Sequence, residues 1–446
     1  MNSSVPHPLT SSRSGPLSGR CQVPGDKSIS HRSLLLGALA AGRTRIRNLL
    51  EGEDILNTAK AVTELGAPAT KSAADWQVLG RGTGGLSAPT EPLDFGNSGT
   101  GVRLMMGVVA GHDMEAGFTG DASLCRRPMA RVLTPLRKMG AEVVEGGPDL
   151  LPLRLRGSSR LKPIEYLLPV PSAQVKSAIL LAGLHAPGET TVLEKEATRD
   201  HTERMLRFFG ATVRVEERGD LRAITVRGDA ELEGREIVVP GDPSSAAFLA
   251  AAATIVPGSE VLIEGVLVNP TRTGFYTTLL EMGADIAFLD EREECGERVA
   301  DIRVRSSRLK GVGVPAARAP TMIDEYPVLA VVSAFADGET HMEGLAELKA
   351  KESDRLAVTA ALLTGNGVAA KVEGDRMTVA GASQVRGGGL VETRMDHRIA
   401  MAGLTLGLAT DRPVTIDDEA YIATSFPQFR GLMERLGARF TPGVPT

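Results

Sequence analysis

The chain has 446 residues, enough for two or three domains with a core each. Its 42% hydrophobic and 24% charged content belongs to a globular chain, and a net charge of −5 argues against broad nucleic-acid binding. No apolar run approaches the roughly 20 residues of a membrane span, and Cys21, Cys125 and Cys295 are too scattered for metal spacing, so a reducing compartment, the cytoplasm, is expected.

Residues 1–19 are rich in Ser and Pro and hold no acidic residue. They are too short and too weakly amphipathic for a transit peptide and are expected to form a disordered tail. The first informative stretch is Pro24-Gly25-Asp26-Lys27-Ser28-Ile29-Ser30-His31-Arg32-Ser33. Pro and Gly end what precedes them, and an apolar run from Leu34 to Ala40 stops at Gly42. A turn opening into a buried helix is expected. Helical phase from Ser28 puts Ser28 and Arg32 on one face, with Lys27 just ahead. Unpaired N–H groups and the positive end of the helix dipole favour a phosphate or carboxylate there, and the side chains add charge. A capped helix with solvated basic residues explains this stretch alone equally well.

The pattern recurs. Polar or small residues lead into Ala- and Leu-rich runs at 24–42, 97–111, 171–188, 241–258, 322–338 and 395–411. A second marker follows each run: a helix-like stretch closed by Gly66, Gly140, Gly210, Gly283, Gly367 or Gly437, after which the sequence turns β-rich. Gly at such a point accepts the left-handed conformation that ends a helix. Two markers in one period of about 70 residues predict six structural repeats. Each unit reads as apolar helix, strand, amphipathic helix and further strands, with the apolar helices inside and the sheets outside. Pro24-Gly25-Asp26-Lys27-Ser28 matches Pro240-Gly241-Asp242-Pro243-Ser244, so the chain reads as two halves of three repeats.

The helix starts carry more polar chemistry than buried helices need. They hold Lys27, Ser28 and Arg32; Asn97 to Thr100 and Arg103; Ser172, Ala173, Gln174 and Lys176; Asp324 and Glu325; and Asp396, His397 and Arg398. A cleft between the halves, facing both sets of starts, would make a site for a small polyanion without a large net charge.

Pro24 to Ser33, Asn97-Ser98-Gly99-Thr100-Gly101-Val102-Arg103, Gly120-Asp121 through Arg127-Pro128-Met129, Lys351-Glu352-Ser353-Asp354-Arg355 and Asp396-His397-Arg398-Ile399-Ala400-Met401 closely resemble the 5-enolpyruvylshikimate-3-phosphate synthase family. The motifs stand in family order across almost the whole chain, with the Gly-Asp-Lys-Ser and Ser-His-Arg of a bacterial branch. The resemblance implies an α/β fold: a two-domain inside-out α/β barrel, each domain three βαβαββ repeats. One domain would run over 23–239; the other would combine 1–22 with 240–446, with the active site in the cleft between them. It also implies the chemistry: the 5-hydroxyl of shikimate 3-phosphate adds to C2 of phosphoenolpyruvate, and phosphate leaves a tetrahedral intermediate. Neither metal nor organic cofactor is expected, and the only partners expected are the two small substrates of a monomer.

Both substrates carry a phosphate and a carboxylate, groups that Arg pairs bidentately. By resemblance, Lys27, Gly99, Thr100, Arg127, Gln174, Arg355 and Arg398 would hold phosphoenolpyruvate. Lys27, Ser28, Arg32, Ser172, Ala173, Gln174, Arg199, Asp324 and Lys351 would hold shikimate 3-phosphate. Asp324 resembles the base for the attacking hydroxyl, Glu352 the group handling the proton at C3, and Lys27 a neutralising cation that also assists as an acid. Apart from the resemblance, Asp324 and Glu352 read as partners of Lys351 or Arg355 in salt bridges at a domain interface. Gly99 is expected to leave room for glyphosate to compete. Thr424 stands where better-studied members have Lys, so no ligand is carried over there, and Arg199 stands where many use a Tyr nearby. His31, His201 and His397 fit no metal spacing.

Two rival readings stand beside this one. UDP-N-acetylglucosamine enolpyruvyl transferase shares the fold type but uses a loop Cys a few residues before Ala-Arg-Pro; Cys125 precedes Arg126-Arg127-Pro128 by too little and reads as a plain thiol. A non-catalytic binder of phosphorylated metabolites has no need of both Asp324 and Glu352.

Overall fold

The six apolar runs form six buried helices in the computed structural model, which describes residues 6–443 apart from 74 and 148. They are Lys27–Leu39, Gly99–Ala110, Ala173–Gly183, Pro243–Ile255, Tyr326–Ser333 and His397–Gly407. Five have a side-chain cap on a free N–H of the first turn, from Asp26, Ser98, Ser172, Asp242 and Asp396. Pro243 to Ile255 is buried at every position, as a helix apolar all round must be. The amphipathic partners are Glu53–Glu64, Ala130–Met139, His201–Phe208, Gly274–Glu281, Arg355–Gly365 and Phe429–Leu436. All six marker glycines after them have positive φ, from 83° to 117°.

The described strands form six sheets. In the second repeat, Leu93–Asp94 pairs in parallel with Glu115–Thr119, which pairs antiparallel with Leu153–Arg156, itself antiparallel to Glu142–Gly146. Chain order is therefore βαβαββ. The first repeat takes its parallel strand from the other end of its half: Leu232–Glu233 and Glu236–Val238 pair with Ala40–Arg47.

The expected disordered tail is corrected from Leu9 onward. Leu9–Ser12 lies between Val414–Ile416 and Arg439–Pro442, antiparallel to both. Ser18–Gln22 runs parallel to Glu260–Leu267. The segment supplies the strands that two repeats lack, so its backbone groups are paired, and Leu9 and Leu17 enter the core at 0% and 1% exposure. Polar composition hid this because only alternate residues of Leu9–Ser12 face inward. Residues 1–5 lie outside the described residues.

Contacts divide the chain into two units. The central unit is Gly25–Pro240 with Glu293–Glu297; the discontinuous unit is Met1–Pro24, Gly241–Arg292 and Arg298–Thr446. Each has three sheets around its own apolar core. No helix among the described residues is long and apolar enough to cross a membrane.

Candidate active site

In the central unit the expected ligands cluster at the starts of three buried helices. The Asp26 carboxylate accepts from the N–H of Ile29 at 2.8 Å, which fixes the first turn of Lys27–Leu39. Lys27 forms an ion pair with Asp54, from the first turn of Glu53–Glu64, and keeps 24% of its side chain exposed. Arg32 is almost buried. It donates to the Ser28 carbonyl at 2.9 Å, to Ser177 Oγ at 2.7 Å and to Thr202 Oγ1 at 2.7 Å. Burial pushes its pKa down to about 10; Glu203, Asp26 and Glu297 oppose this, and the nearby cation of Arg199 adds to it.

The second helix start is built around Gly99. A β-carbon there would lie 3.0 Å from Arg103 Nη1 and 3.2 Å from Arg127 Nη1, so glycine is what lets two guanidinium groups approach this backbone. Arg103 donates to the Gly99 carbonyl at 3.1 Å and to Gln174 Oε1 at 2.9 Å; Gln174 Nε2 donates to Thr100 Oγ1 at 2.9 Å. Burial, then Arg131 and Arg127, lower the Arg103 pKa to about 10. Arg127 donates to Asn97 Oδ1 at 2.6 Å. Gly99, Thr100, Arg127 and Gln174 are thus brought together. Ser172 and Ala173 open the third buried helix, and Arg199 is half-buried in the loop before His201–Phe208.

In the discontinuous unit Asp324, Lys351, Glu352 and Arg355 form one ionic cluster. Arg355 has 1% of its side chain exposed and meets three carboxylates. Its Nε donates to Asp396 Oδ2 at 2.8 Å, its Nη1 donates to Asp324 Oδ1 at 3.2 Å, and its Nη2 lies 2.6 Å from Glu352 Oε2. Lys351 Nζ is 3.3 Å from Asp324 Oδ1. Burial disfavours the Arg355 cation, yet Glu352, Asp396 and Asp324 raise its pKa above the ordinary value. Burial likewise pushes Asp396 up, but Arg355 and His397 outweigh it and hold that carboxyl low. The salt bridges that the sequence offered as the plainer role of Asp324 and Glu352 therefore exist, and all lie within one unit. Asp396 also caps the last buried helix through the N–H of Arg398 at 2.9 Å, so one carboxylate places both Arg355 and Arg398.

Several participants had no assigned role in the sequence. Asn97, Arg103, Lys176 and Asp396 stood at helix starts, where polar residues were already conspicuous. Asp54, Glu194 and Glu203 carried no signal, because an acidic residue on an amphipathic helix or at a strand end is ordinary. Among the described residues one group has metal-like geometry: Asp200, His201 and Glu297. His201 Nδ1 already lies 2.7 Å from Glu297 Oε1, and Arg204 Nε lies 2.8 Å from Asp200 Oδ2 and 3.7 Å from Glu297 Oε2. An arginine thus supplies the positive charge a metal would bring, and the set fits a structural ion pair better.

Fold and site together define a class: a six-repeat α/β protein whose buried helix starts carry cations and whose carboxylates cluster with Lys351 and Arg355. A family model described as EPSP synthase (3-phosphoshikimate 1-carboxyvinyltransferase) matches residues 12–433. A 3-phosphoshikimate 1-carboxyvinyltransferase of Methylorubrum populi is 59% identical over 449 residues, covering 99% of each chain. One from Parvibaculum lavamentivorans is 60% identical over 438 residues, covering 97% of this chain and 96% of its own. The solved EPSP synthase of Acinetobacter baumannii superposes with a TM-score of 0.89 at 42% identity, covering 98% of this chain and 100% of that one. The chain belongs to the EPSP synthase family. It is a transferase, and the activity that membership carries is enolpyruvyl transfer in the shikimate pathway of aromatic amino acid biosynthesis.

Proposed function

We propose that this chain joins shikimate 3-phosphate and phosphoenolpyruvate, with catalysis by Asp324, Glu352 and Lys27. Asp324 takes the proton of the 5-hydroxyl as its oxygen bonds to C2 of phosphoenolpyruvate, while Glu352 donates a proton to C3. The tetrahedral intermediate then collapses: the C–O bond to phosphate breaks and C3 returns a proton to Glu352. Lys27 neutralises the departing phosphate and supplies its proton. Arg127, Arg355 and Arg398, with Gly99, Thr100 and Gln174, hold phosphoenolpyruvate. Ser28, Arg32, Ser172, Ala173, Gln174, Arg199 and Lys351 hold shikimate 3-phosphate. In this reading residues at the helix starts of both units bind the same pair of substrates. Gly99 leaves space that glyphosate can use. The enzyme acts as a cytoplasmic monomer, and three free cysteines fit a reducing compartment.

One observation carries the reading: Asp324 and Glu352, the two carboxylates such a reaction needs, converge on Arg355 beside Lys351. A phosphate-release assay with both substrates tests it. Asp324→Ala is expected to lower kcat about 10²–10⁴-fold, the range of a lost general base, with substrate affinity within a few-fold. Loss of binding at unchanged kcat would make Asp324 a ligand only, and binding without turnover in the wild type would make the protein a binder.

A further inference from the structure

Beneath the first and third helix starts lies a buried ionic group that the reaction itself does not use. Lys176, on the buried helix Ala173–Gly183, has no exposed side-chain surface. Its ammonium lies 2.7 Å from Glu203 Oε1 and 3.2 Å from Glu194 Oε2, and donates to the Thr198 carbonyl at 3.4 Å. Glu194 also accepts from Thr198 Oγ1 at 2.8 Å. Thr198 is the residue before Arg199. Glu203 follows Thr202, whose hydroxyl accepts from Arg32 at 2.7 Å, and Ser177, the neighbour of Lys176, contacts both Thr202 and Arg32 at 2.7 Å.

Burying one ammonium and two carboxylates is expensive, and apolar replacements of similar volume commonly match or exceed such a group in stability. Here each arm of the group ends beside one of two cations that repel each other: Arg199 lowers the pKa of Arg32. An anion is gripped well only if both cations stay where its oxygens will lie.

We propose that Lys176, with Glu194 and Thr198, is a positioning centre that sets Arg199 against Arg32 for the binding of shikimate 3-phosphate. This rests on the ligand assignment above. Lys176 touches no substrate; it holds the 198–203 segment to the helix Ala173–Gly183.

The test is calorimetric titration of the full-length protein with shikimate 3-phosphate, alongside steady-state kinetics. Thr198→Val, which deletes one hydroxyl, is expected to weaken that affinity about tenfold, the size of a hydrogen bond to a charged group. Thr198→Ser restores the hydroxyl and is expected within twofold of wild type. The charge-balanced double variant Lys176→Met/Glu203→Gln is expected to lose at least as much affinity as Thr198→Val. The KM for phosphoenolpyruvate stays within twofold in all three. Unchanged shikimate 3-phosphate affinity in folded Thr198→Val overturns the proposal, as does an equal loss for both substrates, which marks a merely structural role. Should the double variant not fold, the Val and Ser pair decides alone. A wild-type protein that neither binds nor turns over shikimate 3-phosphate overturns the functional reading first.

Discussion

The same three residues, Pro-Gly-Asp, lead into the first and fourth buried helices, which part company at the next residue. In both, an Asp carboxylate caps the first turn: Asp26 accepts from Ile29 N at 2.8 Å and Asp242 from Ser244 N at 2.7 Å. Beyond the cap, Lys27 aligns with Pro243, His31 with Ala247 and Arg32 with Phe248. The fourth helix shows what the fold requires: proline where a helix tolerates it best, then small and apolar residues, all buried. Its capping charge is closed off. Arg272, 3% exposed, lies 3.3 Å from Asp242 Oδ1 and donates to Ser244 Oγ at 3.0 Å, while Ser244 donates to buried Glu325. The first helix meets the same requirement with the same cap, then places a lysine, a histidine and an arginine where none is needed for packing. Burial disfavours the charged forms of Arg32 and His31, a cost that the fourth helix does not carry.

Exchanging charge at the first helix start should produce the largest effect. Lys27→Met is expected to lower kcat/KM on the order of 10⁴-fold, since in the proposed reaction it removes both an electrostatic partner and an acid. Folding stability should move by no more than about 1 kcal/mol, because the Lys27–Asp54 pair is partly solvated. Urea unfolding beside a turnover assay separates the two quantities. A variant that keeps its activity would reduce the contrast between the helices to chance.

The opposite pattern is expected at the fourth helix. Arg272→Met leaves Asp242 and Glu325 buried with less compensation. Burial and Asp324 already raise the pKa of Glu325, and Arg272 is the largest influence pulling it back. Breaking a buried pair from one side costs about 3–5 kcal/mol, read as a lower unfolding midpoint. Wild-type unfolding combined with a raised substrate KM would instead make this start a second ligand site.

The contrast also explains how much could be read in advance. Period, buried helices and glycine stops were legible because each follows from local chemistry: apolar runs, Asp or Ser caps, and positive φ. Every positive-φ marker glycine closes a helix where the sequence placed one. The six sheets were less legible, because their completion is not local. Leu9–Ser12 pairs with residues more than 400 positions away, and nothing within the segment announces its partners. The same divide runs through the site. Lys27, Arg32, Gln174 and Arg398 stand out as charged or polar residues on buried helices. The acids beneath them, Asp54 paired with Lys27, and Glu194 and Glu203 paired with Lys176, look like ordinary surface acids until the chain is folded. Arg355 stood out only through its motif, and three carboxylates from separate stretches meet on it.

The smallest expected effect sits at His31, the position that the fourth helix fills with Ala247. His31 is fully buried, with Nδ1 2.8 Å from Thr58 Oγ1. Burial, then Lys27 and Arg32, hold its pKa well below the ordinary value. The unfolded chain gains a proton at this residue near pH 6.5, whereas the folded chain resists it. Below pH 6.5 the unfolded state therefore binds more protons, and folding stability falls by up to about 1.4 kcal/mol per pH unit for this one group. The stability is fully present above pH 6.5 and is lost as pH drops toward the depressed folded value. His31→Ala copies the fourth helix and is expected to cost stability at pH 7.5 by opening a cavity, yet to lose about one proton's worth of slope between pH 6.5 and 5. Urea unfolding at several pH values measures both. Identical slopes in the two proteins would mean that His31 titrates alike folded and unfolded. The first helix start would then be as undemanding as the fourth at this position, and only Lys27 and Arg32 would still set the two apart.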